Sequence, residues 1–145
     1  MIKNTALFLL IMAVLPMQPA IAQLKDPTIR VVMQVNSFNL EVVERGLRDA
    51  LEVSEVAQTQ KQPLDIRIVV HGRAVDLFET SATTQLRDYF QKLSARTDVH
   101  FYVDSQTMGR IHNEIKDLLP GFTAVPSGPY EIVKLEKEGY QYLKP

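Results

Sequence analysis

Leu64-Asp65-Ile66-Arg67-Ile68-Val69-Val70-His71-Gly72 is the stretch that decides the fold. Leu64 to Val70 is dominated by β-branched and aliphatic side chains and reads as a strand that stops at His71-Gly72. A polar connector, residues 58–63, precedes it. Before that connector Leu40, Val43, Leu47, Ala50 and Leu51 recur at helical spacing, which predicts a helix from Leu40 to about Ala57 with Asn39 as its N-cap. Further upstream, Ile29 to Val35 (IRVVMQV) is another strand, joined to the helix by the polar turn Asn36-Ser37-Phe38-Asn39. Strand, helix and strand in succession is the unit from which parallel sheets are built.

The alternation continues downstream. Arg73 to Thr80 fits either a loop or a short helical turn. Ser81 is placed to cap a helix from about Ala82 to Ala95, with Leu86, Tyr89, Phe90 and Leu93 on its apolar side. Val99 to Val103 is a third strand, and Asp104 and Ser105 can cap a helix that turns Met108, Ile111, Ile115 and Leu118 inward before Pro120-Gly121 stops it. Phe122 to Val125 forms a short fourth strand, Tyr130 to about Glu138 a helix, and Tyr140 to Leu143 a last strand. The expected architecture is one compact α/β domain of about five mostly parallel strands with helices on both faces.

Polar residues collect at the carboxyl ends of the predicted strands. Asn36 and Ser37 follow the first, His71 and Gly72 the second, Asp104, Ser105 and Thr107 the third, and Ser127 and Gly128 the fourth. In an open α/β sheet those ends share one edge, where ligands bind near a reversal of strand order. Asn36, Ser37, His71, Gly72, Asp104, Ser105, Thr107 and Ser127 are therefore the candidate ligand pocket. Helix caps and turn glycines account for the same residue types at the same places.

The first 22 residues read as an export signal: Lys3 gives a positive start, Ala6 to Leu15 is unbroken apolar sequence, and Ala20-Ile21-Ala22 is a small-x-small cleavage site. The apolar run is shorter than the roughly 20 residues that cross a bilayer. The expectation is a periplasmic protein cleaved after Ala22, with no stable membrane insertion, a flexible tail over residues 23–28 and the domain over 29–145. The chain holds no cysteine, so it has no thiolate nucleophile, no disulfide and no thiolate metal site. Without Lys3, 15 basic residues face 17 acidic ones, a balance with no electrostatic footprint for nucleic acid.

Val69-Val70-His71-Gly72, Leu118-Leu119-Pro120-Gly121, Val125-Pro126-Ser127-Gly128 and the ending Glu138-Gly139-Tyr140-Gln141-Tyr142-Leu143-Lys144-Pro145 together resemble the DsrE/DsrF-like proteins. The likeness runs in register from Ile29 to Pro145. It implies a five-stranded α/β fold, oligomeric and often trimeric, and a link to sulfur-transfer relays in which persulfide passes between cysteines. Members that look active carry a cysteine just after the third strand, in a stretch like Val-Cys-Gly-Asn-Thr. Here the matching stretch is Val103-Asp104-Ser105-Gln106-Thr107, with Asp104 in the cysteine's place. A carboxylate cannot hold a sulfane sulfur, so cysteine-based sulfur transfer is not expected.

Asp104 has two readings: a helix N-cap, or one half of an acid–base pair with His71. His100, inside the third strand, and His112, on a helix, read as structural and solvated, and the three histidines lack the spacing of a metal site. No hydrolase elbow, glycine-rich phosphate loop or cofactor motif is present, and Glu41, Glu44 and Glu52 read as a solvated helix face. The sequence thus points to a non-catalytic binding or accessory protein with a protein partner or small-molecule ligand. An enzyme using His71 and Asp104 is the alternative. A homo-oligomer is expected, trimer first and dimer second. Val75, Leu77 and Phe78 lie in a segment of weak helical signal and are taken, with Tyr140 and Tyr142, as its apolar interface.

Overall fold

The computed structural model describes residues 27–145. The expected export signal, and residues 23–26 of the expected tail, lie outside the described residues. The elements run β1 (Ile29–Val35), α1 (Leu40–Thr59), β2 (Leu64–Val70), a 3-10 helix (Gly72–Phe78), α2 (Thr84–Ser94), β3 (Val99–Asp104), α3 (Ser105–Ile111), a 3-10 turn (Ile115–Asp117), β4 (Phe122–Val125), α4 (Gly128–Lys137) and β5 (Gln141–Leu143). All five strands are parallel, in the order β4-β3-β2-β1-β5. The chain steps outward from β1 to β4, then returns across the sheet to lay β5 on the other side of β1.

That return dictates where the last helix goes. Parallel crossovers are right-handed. The steps from β1 to β4 all move one way and place α1, α2 and α3 on one face. The step from β4 back to β5 moves the opposite way, so α4 falls on the other face, where it packs against β1, β2 and β3. The first face holds the main core: Val31, Met33 and Val35 of β1, Ile66, Ile68 and Val70 of β2, and Phe101 and Val103 of β3 meet Val43, Leu47, Leu86, Phe90 and Leu93. The second face holds a smaller cluster, Val32 and Val69 under Ile132, Leu135 and Tyr140.

Strands β1, β2 and β4 have the boundaries their composition predicts, and β3 runs one residue further. Several helices differ from expectation. The cap of α2 is Thr83 and not Ser81: its hydroxyl accepts from the Leu86 amide. The predicted single helix before Pro120 is broken, because His112 adopts a left-handed conformation (φ 57°) that ends α3. Ile115 consequently lies exposed on a separate turn, while Met108 and Leu118 are buried. Helix α4 begins two residues early, at Gly128, with Ser127 as cap and Pro129 in the first turn.

The segment expected to supply an apolar interface does not. Arg73 to Phe78 winds into a 3-10 helix, and Val75 and Phe78 are fully buried in the main core with Leu77 packed against it. Phe78 meets Phe90 and Phe122 edge to face, so the segment has a partner in its own domain. Tyr140 is also buried, whereas Tyr142 is 45% exposed.

Candidate functional site

Every strand's carboxyl end opens at one edge, and three helices begin there. Asn39 caps α1, accepting from the Glu41 and Val42 amides. Asp104 caps α3 and Ser127 caps α4. The polar residues that cluster in sequence at strand ends are thus partly the machinery of helix initiation.

Asp104 is 3% exposed, and both its oxygens are engaged. Oδ1 accepts from the Gln106 amide at 3.0 Å and Oδ2 from the Thr107 hydroxyl at 2.8 Å. Thr107 in turn accepts from the Gly72 amide at 3.1 Å and from Arg110 Nη2 at 3.2 Å. Gly72 sits at φ +60°, the left-handed region glycine tolerates without strain. Asp104, Thr107 and Gly72 therefore form a buried tie that fastens the end of β3 to the loop after β2. Ser105, the first residue of α3, is exposed and takes no part.

His71 lies beside this tie but belongs to a different network. Its Nε2 is 2.7 Å from Gln34 Nε2, and Gln34 Oε1 accepts from the Tyr142 hydroxyl at 2.9 Å. No hydrogen bond joins His71 to Asp104 among the described residues. What lies between them is the first turn of α4: a Cβ added to Gly128 would stand 2.9 Å from His71 Cβ and 3.3 Å from Asp104 Cβ. Burial holds the imidazole below the usual histidine range, and the Asp104 charge pulls weakly the other way. Asp104 is thus engaged by a cap and His71 by a glutamine, and the two meet through charge across Gly128 and not through a hydrogen bond.

Asn36 and Ser37 adjoin the Asp104 tie without sharing its hydrogen bonds: the Asn36 carbonyl lies beside Gly72, 3.9 Å from where a Cβ on that glycine would stand. With Gln34, Val42, Tyr142 and Lys144 they line a cleft of about 130 Å³ between the ends of β1 and β5. The eight candidate residues thus divide: Gly72, Asp104 and Thr107 in the tie, Ser127 capping α4, Ser105 exposed, Asn36 and Ser37 in the cleft, and His71 reaching the cleft through Gln34. Gln34 and Tyr142 are the residues that sequence reasoning missed. The signal for Gln34 is a polar side chain near the carboxyl end of IRVVMQV, a strand whose other polar residue, Arg30, stands at its start. The partner of Gln34 cannot be read without the β1–β5 pairing. His100 and His112 are exposed. Among the described residues no three His, Asp or Glu side chains are grouped to hold a metal ion, and no helix is long and apolar enough to cross a membrane.

The model of the DsrE/DsrF-like family matches residues 44–145. The chain belongs to the DsrE/DsrF-like family, which is linked to sulfur metabolism. Among solved structures, MTH1491 of Methanobacterium thermoautotrophicum, described as a protein of unknown function, is similar at a TM-score of 0.67 and 21% identity. The ychN protein of E. coli is similar at a TM-score of 0.66 and 15% identity. Each comparison covers 81% of this chain and 99% of the other. No curated protein matches the chain in sequence. These likenesses identify the fold.

Proposed function

We propose that this DsrE/DsrF-like protein is an exported, periplasmic binding or accessory protein without cysteine-based sulfur transfer, which assembles with itself and takes a small ligand or protein partner at the strand ends. The observation that carries the reading is the use of Asp104. The residue at the carrier position is buried and saturated by a helix cap, so it stabilises the edge and presents no reactive group. Assembly rests on the α4 face, where Tyr130 is 70%, Val133 52% and Tyr142 45% exposed. Large side chains of this kind form the centre of specific interfaces, which bury about 1,200–2,000 Å² in total. The trimer is the first expectation and the dimer the second.

Native mass spectrometry of protein recovered from the periplasm tests the reading in one measurement. The expected result is a chain beginning at Gln23, in a defined oligomer, with no mass gained on exposure to a sulfane-sulfur donor. A stable gain of one sulfur atom overturns the accessory reading. A full-length cytoplasmic chain removes export, and a monomer without ligand removes assembly and binding.

A further inference from the structure

The cleft between β1 and β5 lies where the strand order reverses. Outside the carboxyl ends of an open parallel sheet, that is the position at which ligands bind. It adjoins the Asp104 tie through Asn36, whose carbonyl lies beside Gly72. Val35, Val42 and Val43 give it an apolar floor, and Asn36, Ser37, Tyr142 and Lys144 give it polar walls. Its polar groups are rich in donors. Ser37 Oγ already accepts from the Asn39 amide, which leaves the hydroxyl proton to give. Asn36 brings an amide and Lys144 an ammonium, and Pro145 beside Lys144 completes a lining that has no Asp or Glu side chain. At roughly 30 Å³ per water, the volume of about 130 Å³ holds a molecule of a few heavy atoms.

We propose that this cleft binds a small oxyanion, and that the anion binds together with a proton on His71. The inference rests on the reading that the strand ends take a small ligand, and it names the ligand's chemistry. The coupling comes from the hydrogen-bond chain across three strands, Tyr142 of β5, Gln34 of β1 and His71 after β2. Gln34 Nε2 faces His71 Nε2 at 2.7 Å, an arrangement that suits the neutral imidazole with its proton on Nδ1, where the Gln34 amide donates. The Tyr142 proton is spent on Gln34 Oε1, so Tyr142 offers the cleft only lone pairs, which repel an anion.

Protonation reverses the chain. An imidazolium Nε2 carries hydrogen and cannot accept, so the Gln34 amide turns over to face it with Oε1. Gln34 Nε2 then donates to Tyr142, and the Tyr142 proton is freed toward the cleft. The number of bonds is the same in both states, and only their direction changes. The groups around His71 are Gln34 from β1, the uncharged Gly128 from α4, and Asp104 from β3; burial disfavours the imidazolium and outweighs the Asp104 charge that favours it. An anion in the cleft acts in the same sense as that charge, and by linkage the proton strengthens the anion to the same degree.

The test uses the exported chain, isotope-labelled, titrated with sulfate against chloride at matched ionic strength. Resonances of Asn36, Ser37 and Tyr142 should move, with affinity about tenfold weaker at about pH 8 than at about pH 5.5. Saturation should shift the His71 ring nitrogens toward the imidazolium pattern. Tyr142→Phe should bind sulfate with one affinity at both pH values. Equal wild-type affinities at both pH values overturn the proton coupling. Absence of shifts at the cleft overturns the oxyanion site, including the case in which the Pro145 carboxylate already occupies Lys144. A neutral ligand retained in native mass spectrometry also overturns this site while leaving the accessory reading intact.

Discussion

On the α1–α3 face of the sheet, Phe78, Phe90, Phe101 and Phe122 pack ring against ring, with centroids 4.5 to 6.1 Å apart. On the opposite face one ten-residue helix, α4, covers a smaller apolar cluster. Beside that cluster lies Arg67, 2.7 Å from Asp65 and held by the hydroxyls of Tyr102 and Tyr140. Both side chains of that ion pair are 23% exposed. The first face is held by burial, which is non-directional and insensitive to pH. The second is held by directed polar bonds at the edge of solvent, and leaves Tyr130, Val133 and Tyr142 uncovered. One face carries the larger apolar core, and the other leaves large side chains exposed.

The comparison breaks most directly at Phe90. It is 1% exposed and touches three other rings. Phe90→Ala should cost about 3–5 kcal/mol, the transfer term plus the cavity left among rings that cannot all close in. Chemical denaturation measures this. A loss below about 1 kcal/mol would mean that the aromatic cluster is not the anchor of its face.

The next effect lies on the polar face. Arg67→Ala leaves the Asp65 carboxylate half-buried without its cation, and should cost about 2 kcal/mol, less than the full cost for a wholly buried pair because solvent screens both groups. Burial pushes the Asp65 carboxyl up, but hydrogen bonds from Arg67 and Tyr140 outweigh it and hold the group below the usual carboxylate range. The sign follows: a depressed carboxyl contributes stability above its unfolded value, near about pH 4, and that contribution disappears as pH falls through the folded value. Wild-type protein should therefore lose more stability in acid than Arg67→Ala does. Parallel acid profiles would remove the pair from the account of this face.

The two faces were unequally legible in the sequence. The apolar face was readable because each strand's inward residues and each helix's apolar row announce themselves by period. Strand ends were readable for the same reason, and with them the candidate edge. Phe78 gives no such signal, because a 3-10 helix has no strong period of its own, and only the fold shows that its ring reaches Phe90 and Phe122. The polar face was hidden because its bonds join residues far apart in the chain: Asp65 to Tyr140, Gln34 to Tyr142, Gln34 to His71. None of these pairs is visible until the order β2-β1-β5 is known. His112 was hidden for a local reason, since a non-glycine residue in a left-handed conformation gives little compositional warning.

A smaller effect is expected where the faces meet, at Asp104. Asp104→Asn and Asp104→Ser keep an acceptor for the Gln106 amide but lose the one for the Thr107 hydroxyl, so each should cost about 1 kcal/mol, and Asp104→Ala, which loses both, about 1–2 kcal/mol. Thermal denaturation of the three variants checks this. Wild-type stability in all three, accompanied by loss of ligand binding or activity, would assign the residue a working role and bring the edge of β3 back as a site.

The smallest change in fold stability, and the most informative about the open face, is expected from Tyr130→Ser with Val133→Asp on α4. Both side chains point away from the domain, so nothing in the monomer loses a partner, and surface substitutions of this kind fall within about 0.5 kcal/mol. Assembly is another matter. If the α4 face meets a second copy, two large side chains leave the centre of an interface and a charge takes one place, which a desolvated apolar contact does not accept. Because association stabilises only the folded state, the wild-type Tm should rise with protein concentration and the double variant's should not. Light scattering at micromolar concentration should show the variant as a monomer beside an oligomeric wild type. A wild type that is monomeric at every concentration, with a Tm that never moves, would leave the uncovered face without a partner of its own kind. A variant that stays oligomeric would place the contact elsewhere on the molecule.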